Sequence, residues 1–112
     1  MFKTTARPEF THTVEVMVPV DGGHEKQAVK ATYRVLPGDS DADENRFDLQ
    51  TADGSTAFLR EVLVRLDDLV GDDDQPVPYS DGLRDQLLKL PYLRAALARA
   101  YFAAITKAAV GN

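Results

Sequence analysis

The chain has 112 residues, 44% apolar and 28% charged, with no cysteine and a net charge of −5. Those figures fit one folded domain and exclude global disorder, a disulfide scaffold, a thiol nucleophile and cysteine-ligated zinc. The acidic balance argues against phosphate-backbone binding over the whole surface, so no nucleic-acid partner is expected.

The charge is not evenly spread. Residues 1–36 carry a net +1, residues 37–56 a net −5, residues 57–66 a net +1, residues 67–85 a net −6 and residues 86–112 a net +4. Two acidic connectors thus separate three near-neutral or basic blocks, and such runs ordinarily belong to solvated loops and helix starts. No apolar run approaches the roughly 18–20 residues that span a bilayer. The opening Met1-Phe2-Lys3-Thr4-Thr5 lacks the apolar stretch of a signal peptide, so a soluble, cytosolic chain is expected.

The first block alternates. Phe10, His12, Val14, Val16, Val18 and Val20 share one face, and Thr11, Thr13, Glu15, Met17 and Pro19 share the other. Asp21-Gly22-Gly23 supplies turn chemistry, and Val29, Ala31, Tyr33 and Val35 then alternate with Lys30, Thr32 and Arg34. The pattern predicts a β-hairpin over 10–36. An acidic connector over 37–55 follows, with room for a short helix over 40–50 and a cap in Asp53-Gly54-Ser55.

From 56 to 109 the spacing becomes helical. Phe58, Leu59, Val62, Leu63, Leu66, Leu69 and Val70 recur at three and four and predict a helix over 56–67, although Val62, Val64 and Leu66 also suit a strand. Residues 71–79, with Pro76 and Pro78, predict a loop. Ser80 is placed to cap a short helix carrying Leu83, Leu87 and Leu88, and Pro91 opens a last helix over 91–109. The expected fold is therefore α+β: an N-terminal β-hairpin, then three or four helices with the last the longest. Its core should join Val14, Val16 and Val18 to Leu59, Val62, Leu63, Leu87, Leu97 and Tyr101.

The last helix carries two apolar stripes. Leu93, Leu97, Ala100, Tyr101, Ala104 and Ala108 fall in one arc and form the expected core face. Ala95, Ala98, Phe102 and Ala109 lie roughly opposite, where a solvated helix would carry charge. Small alanines admit a close neighbour and Phe102 offers an anchor, so these four residues are the candidate protein interface, open to self-association or another chain. The competing expectation is that Phe102 packs under the hairpin or the 40–50 segment.

No catalytic constellation emerges. His12 sits in a strand and His24 beside a turn, with no serine or acid at diagnostic spacing, and no nucleophile elbow, Walker loop or dinucleotide fingerprint occurs. Asp39, Asp41 and Asp43 imitate the opening of a calcium loop, but Glu44 and Gln50 stand where glycine and glutamate are needed. Asp72-Asp73-Asp74 has no spacing suited to one cation. Lys89, Arg94, Arg99 and Lys107 suit a helix dipole better than a nucleic-acid platform. No catalytic residue, cofactor or metal is expected, and an enzyme is the least favoured class.

The second half resembles the tail assembly chaperones of long-tailed bacteriophages and prophages. The resemblance rests on Phe58-Leu59-Arg60-Glu61-Val62-Leu63-Val64, then Gly71-Asp72-Asp73-Asp74 leading to Pro76-Val77-Pro78-Tyr79-Ser80, then Leu83 with Leu87-Leu88, and finally Pro91-Tyr92-Leu93-Arg94-Ala95-Ala96-Leu97-Ala98-Arg99-Ala100-Tyr101-Phe102. It covers residues 56–107 and lies in the order and spacing of the pieces. The chain departs from the family in having no tryptophan after the first helix. The resemblance implies a non-catalytic protein of the bacterial host's cytoplasm. Such a protein coats the tape measure protein, recruits tail tube subunits and is absent from the finished virion. Two other classes stand beside it: a structural tail or head-completion protein retained in the virion, and a small regulatory or ligand-binding domain.

Overall fold

The computed structural model describes residues 1–4, 8–36 and 47–106. Strands β1 (Glu9–Val20) and β2 (Gly23–Arg34) form the predicted hairpin, antiparallel, with Phe10 opposite Tyr33, Val14 opposite Val29 and Val20 opposite Gly23. The chain reverses at Asp21-Gly22, where Gly22 takes φ 79°, a conformation that costs a residue without Cβ nothing. Alternation decides the faces. Val14, Val16, Val29, Ala31 and Tyr33 are buried, while Glu15, Lys26 and Lys30 are exposed. Of the predicted inner face, Val18 is only half-buried, and His12 and Val20 are exposed.

Helix α1 spans Ala52–Val62 and begins four residues before the expected start. Thr51 is its cap: the Thr51 hydroxyl accepts from the Gly54 amide at 2.9 Å. Asp53-Gly54-Ser55, expected as a turn and cap, lies within the first turn of the helix. A turn at Asp48 sits directly against this end, its carbonyl accepting from the Thr51 amide at 3.1 Å and the Thr51 hydroxyl at 3.0 Å. A Cβ on Gly54 would overlap the Asp48 backbone, so glycine is required by close approach. Most of the helix expected over 40–50 lies outside the described residues, and residues 47–50 are not helical.

The expected helix over 56–67 is corrected at its second half. The chain turns extended at Leu63 and continues as strand β3 (Leu63–Asp67), antiparallel to β2 in a sheet of order β1-β2-β3. Its register pairs Ala31 with Leu66, Thr32 with Arg65 and Tyr33 with Leu63, which leaves Val64 as a bulge. The bulge explains the misreading. Leu63 and Leu66 are three apart, and a regular strand would turn them to opposite faces. The extra residue brings both into the core, at 4% and 0% exposure, so an irregular strand reproduces helical spacing.

Residues 69–77 fold back on themselves. The Val77 amide donates to the Leu69 carbonyl at 2.8 Å, and the Gly71 amide to the Gln75 carbonyl at 3.0 Å. Asp72-Asp73-Asp74 forms the exposed tip, with Asp74 at φ 61°. Helix α2 (Asp81–Leu87) is capped as predicted, the Ser80 hydroxyl accepting from the Leu83 amide at 3.1 Å. Leu88, just beyond it, is fully buried, whereas the expected core residue Leu87 is half-buried. Helix α3 (Pro91–Thr106) is the longest of the three helices among the described residues. The architecture is α+β, with a three-stranded antiparallel sheet in place of a lone hairpin. The buried residues form one contiguous cluster under α1 and α3. No helix among the described residues is long and apolar enough to cross a membrane.

Candidate protein-interaction surface

Two tyrosines fix α3 against the hairpin. The Tyr33 hydroxyl, wholly buried, donates to the Leu97 carbonyl at 2.8 Å, and the Tyr101 hydroxyl accepts from the Leu36 amide at 2.9 Å. Burial pushes the Tyr33 hydroxyl well above the ordinary phenol range, so it stays protonated and acts as a donor. Leu93, Ala96, Leu97 and Tyr101 face inward. At the other end of the helix the Arg94 guanidinium donates to the Leu88 carbonyl at 2.7 Å and ties α3 to the end of α2.

With the inner face fixed, the second stripe is set. Ala95 is exposed, Ala98 is half-buried and Phe102 keeps 39% of its surface exposed. Ala109 lies outside the described residues. Residues 40–46 of the segment expected to cover Phe102 lie outside the described residues, and Phe102 packs on α1. Its ring lies flat on Phe58 of α1, centroids 5.3 Å apart and planes 5° from parallel, and meets Tyr101 edge-on at 5.3 Å. Rings run onward from Phe58 to Tyr101, Tyr33 and Phe10, each pair 5.3–5.6 Å apart. Phe102 is the solvent end of an aromatic stack whose other end reaches the edge strand β1.

Ala95 and Ala98 border a depression of about 230 Å³ whose far wall is Leu49, Thr51, Ala52 and Ser55. Sequence reasoning missed two exposed apolar residues here, Ile105 at 43% and Leu49 at 42%. Ile105 was legible: it stands three residues after Phe102 and seven after Ala98, the recurrence that defines one helix face. Leu49 was not, because its place beside α3 depends on the turn at Asp48. The helix carries Arg94 and Arg99 and no acid, so the stripe is apolar and bordered by cations.

His12 is exposed and its ring meets Phe10 edge-on at 5.5 Å, and His24 is exposed near the hairpin turn. Among the described residues no group of three histidine, aspartate or glutamate side chains is placed to hold a metal. Several acids form ion pairs: Arg65 with Asp67 at 2.8 Å and Arg60 with Asp85 at 3.4 Å on the surface, and the largely buried Arg84 with Asp85 at 3.0 Å. What the surface offers is an ordered aromatic with free area, flanked by small residues. In comparisons with known proteins, no family model, no curated protein and no solved structure matches the chain.

Proposed function

We propose that the protein is a phage or prophage tail assembly chaperone. It binds the tape measure protein and recruits tail tube subunits while the tail is built, and it works by binding, without catalysis, in the cytoplasm of the bacterial host. The reading starts from the order and spacing of the sequence pieces over residues 56–107. The structural observation that supports it best is Phe102, held flat on Phe58 yet 39% exposed. A side chain already ordered by stacking loses little rotamer freedom on binding. Ala95 and Ala98 on the same stripe allow a helix of the partner to lie close, and Ile105 adds exposed apolar area. A tape measure is a long, largely helical and apolar rod, and such a stripe is suited to cover it. The overall charge of −5 helps to keep the complex soluble.

The test is co-expression with the long tape measure gene of the same cluster, followed by affinity capture. The wild-type chain is expected to bring down the long protein, and Phe102→Ser to lose most of that capture while remaining folded by circular dichroism. Absence of capture by the wild type would overturn the reading. Stoichiometric recovery of the chain from purified particles would replace it with a structural tail protein.

A further inference from the structure

The hairpin is longer than the body it covers. Strand β3 pairs with β2 only from Lys30 to Tyr33, so the distal part of the hairpin overhangs. Beneath the overhang lies a groove of about 210 Å³, walled by Val16 and Val18 of β1, by Leu66, Leu69 and Val70 on the far side and by Leu93 of α3. Leu93 and the Ala95–Phe102 stripe lie on opposite sides of α3, so this is a separate surface. Val70 on the groove's wall is 62% exposed, and Val20 at the arm's end is 44% exposed.

The groove is smaller than the roughly 300–1,000 Å³ of small-molecule clefts, and its walls carry few polar groups: the side chains of Gln27, Asp68 and Tyr92. It suits one or two apolar side chains projecting from another chain. The rim says what kind of chain. From Asp67 to Asp81 there are six acids and no base, of which Asp67 pairs with Arg65 at 2.8 Å and Asp81 with Arg84 at 3.6 Å. Asp68 pairs only loosely with Lys30, at 3.9 Å, and Asp72, Asp73 and Asp74 have no cationic partner among the described residues. Those three acids stand at the tip of the fold that begins with Leu69 and Val70. An apolar floor beside a strongly negative rim complements a ligand with apolar residues on one side and cations on the other.

We infer that this groove is a docking site for a basic amphipathic helix of another protein, whose apolar residues enter between the arm and residues 66–70 while its lysines or arginines face Asp68 and Asp72–Asp74. The walls present side chains, which favours recognition of apolar residues at helical spacing. The groove is a different surface from the α3 stripe to which the tail-assembly reading assigns its contact.

The probe is a fluorescent peptide of about 18 residues with leucine at positions i, i+3, i+4 and i+7 and lysine elsewhere. Its control has glutamate in place of lysine. Anisotropy should show the lysine peptide binding at least about tenfold tighter than the control. Val70→Ser should weaken it about fivefold, and the triple change Asp72→Asn, Asp73→Asn, Asp74→Asn should weaken it and flatten its salt dependence. Amide shifts in the full chain should centre on Val16, Val18, Leu66 and Val70. Equal binding of both peptides, indifference to Val70→Ser, or shifts centred on Ala95, Ala98 and Phe102 would overturn the inference. Dimers that form without peptide and vanish in Val70→Ser would also overturn it, by giving the groove to a second copy.

Discussion

Along the hairpin one alternating pattern meets two environments. In the half nearer the chain ends, Val14, Val16, Val29, Ala31 and Tyr33 are buried under α1 and α3, β3 extends the sheet, and both tyrosine hydroxyls tie the region to its neighbours. In the half that carries the turn, every residue from Met17 to Lys26 is exposed except Val18, which is half-buried. The ladder continues through both halves in register. Hydrogen bonding is therefore shared and burial is not. A two-stranded hairpin alone is marginal in water, so the inner half should carry the stability while the arm stays cheap to distort. Pro19, on edge strand β1 near the turn, offers no amide there, and the exposed Glu15–Lys26 pair at 3.6 Å adds little.

The sharpest way to break this comparison is to empty the packed side. Leu97 is fully buried, and Leu97→Ala should cost about 2–5 kcal/mol, read as a drop in melting temperature. An unchanged transition would show that α3 does not cover the inner half. Gly54→Ala comes next, and its sign is informative. Alanine in a helix ordinarily gains about 1 kcal/mol over glycine. Here the added Cβ meets the Asp48 backbone, so a loss of about 1–3 kcal/mol is expected. A gain would mean that the Asp48 turn moves aside freely.

Tyr33→Phe removes the buried donor to Leu97 and should cost about 1 kcal/mol near neutral pH. It also carries a pH test. The folded state holds the Tyr33 hydroxyl protonated beyond its ordinary range. Above pH about 10 the unfolded chain releases that proton and the folded chain keeps it. The stabilisation is thus whole below pH about 10 and is lost as pH rises beyond it. Denaturant midpoints should fall more steeply above pH about 10 in the wild type than in Tyr33→Phe, and parallel curves would count against burial of the hydroxyl.

The same contrast explains which parts of the fold were legible in the sequence. The hairpin announced itself because period two, β-branched residues and a glycine turn all agree. Ser80 and Pro91 announced α2 and α3 because capping and a missing amide are local chemistry. Strand β3 stayed hidden because its bulge at Val64 gives Leu63 and Leu66 a helical separation, and only pairing with Ala31 and Tyr33 resolves it. Thr51 was missed as a cap because Asp53-Gly54-Ser55 carries a stronger turn signature; the close approach of Asp48 that fixes Gly54 is tertiary. For the candidate interface, the sequence placed Ala95 and Phe102 outside the core, but not Phe58 beneath the Phe102 ring. The groove under the arm depends on how far the hairpin outruns β3, a length set by register and invisible to periodicity.

The smallest expected effects lie in the arm, and they test the comparison most directly. Val20 is 44% exposed and Met17 is 50% exposed, so Val20→Thr and Met17→Thr should each change stability by less than about 0.5 kcal/mol. Weak thermodynamic consequence must be matched by dynamics if burial, and not the ladder, sets local stability. Amide exchange follows the free energy of the smallest opening that frees each amide. Opening the arm exposes little apolar surface, whereas opening at Ala31 requires Tyr33 and Leu97 to part. Ladder-protected amides between Met17 and Lys26 should therefore exchange through a local opening, with weak dependence on denaturant. Those flanking Val29 and Ala31 should exchange only with global unfolding and show the full denaturant slope. The Leu97→Ala variant should lower the second set and leave the first nearly unchanged. Uniform protection along both strands would mean that the arm is held as firmly as the base, with the hairpin behaving as one cooperative unit.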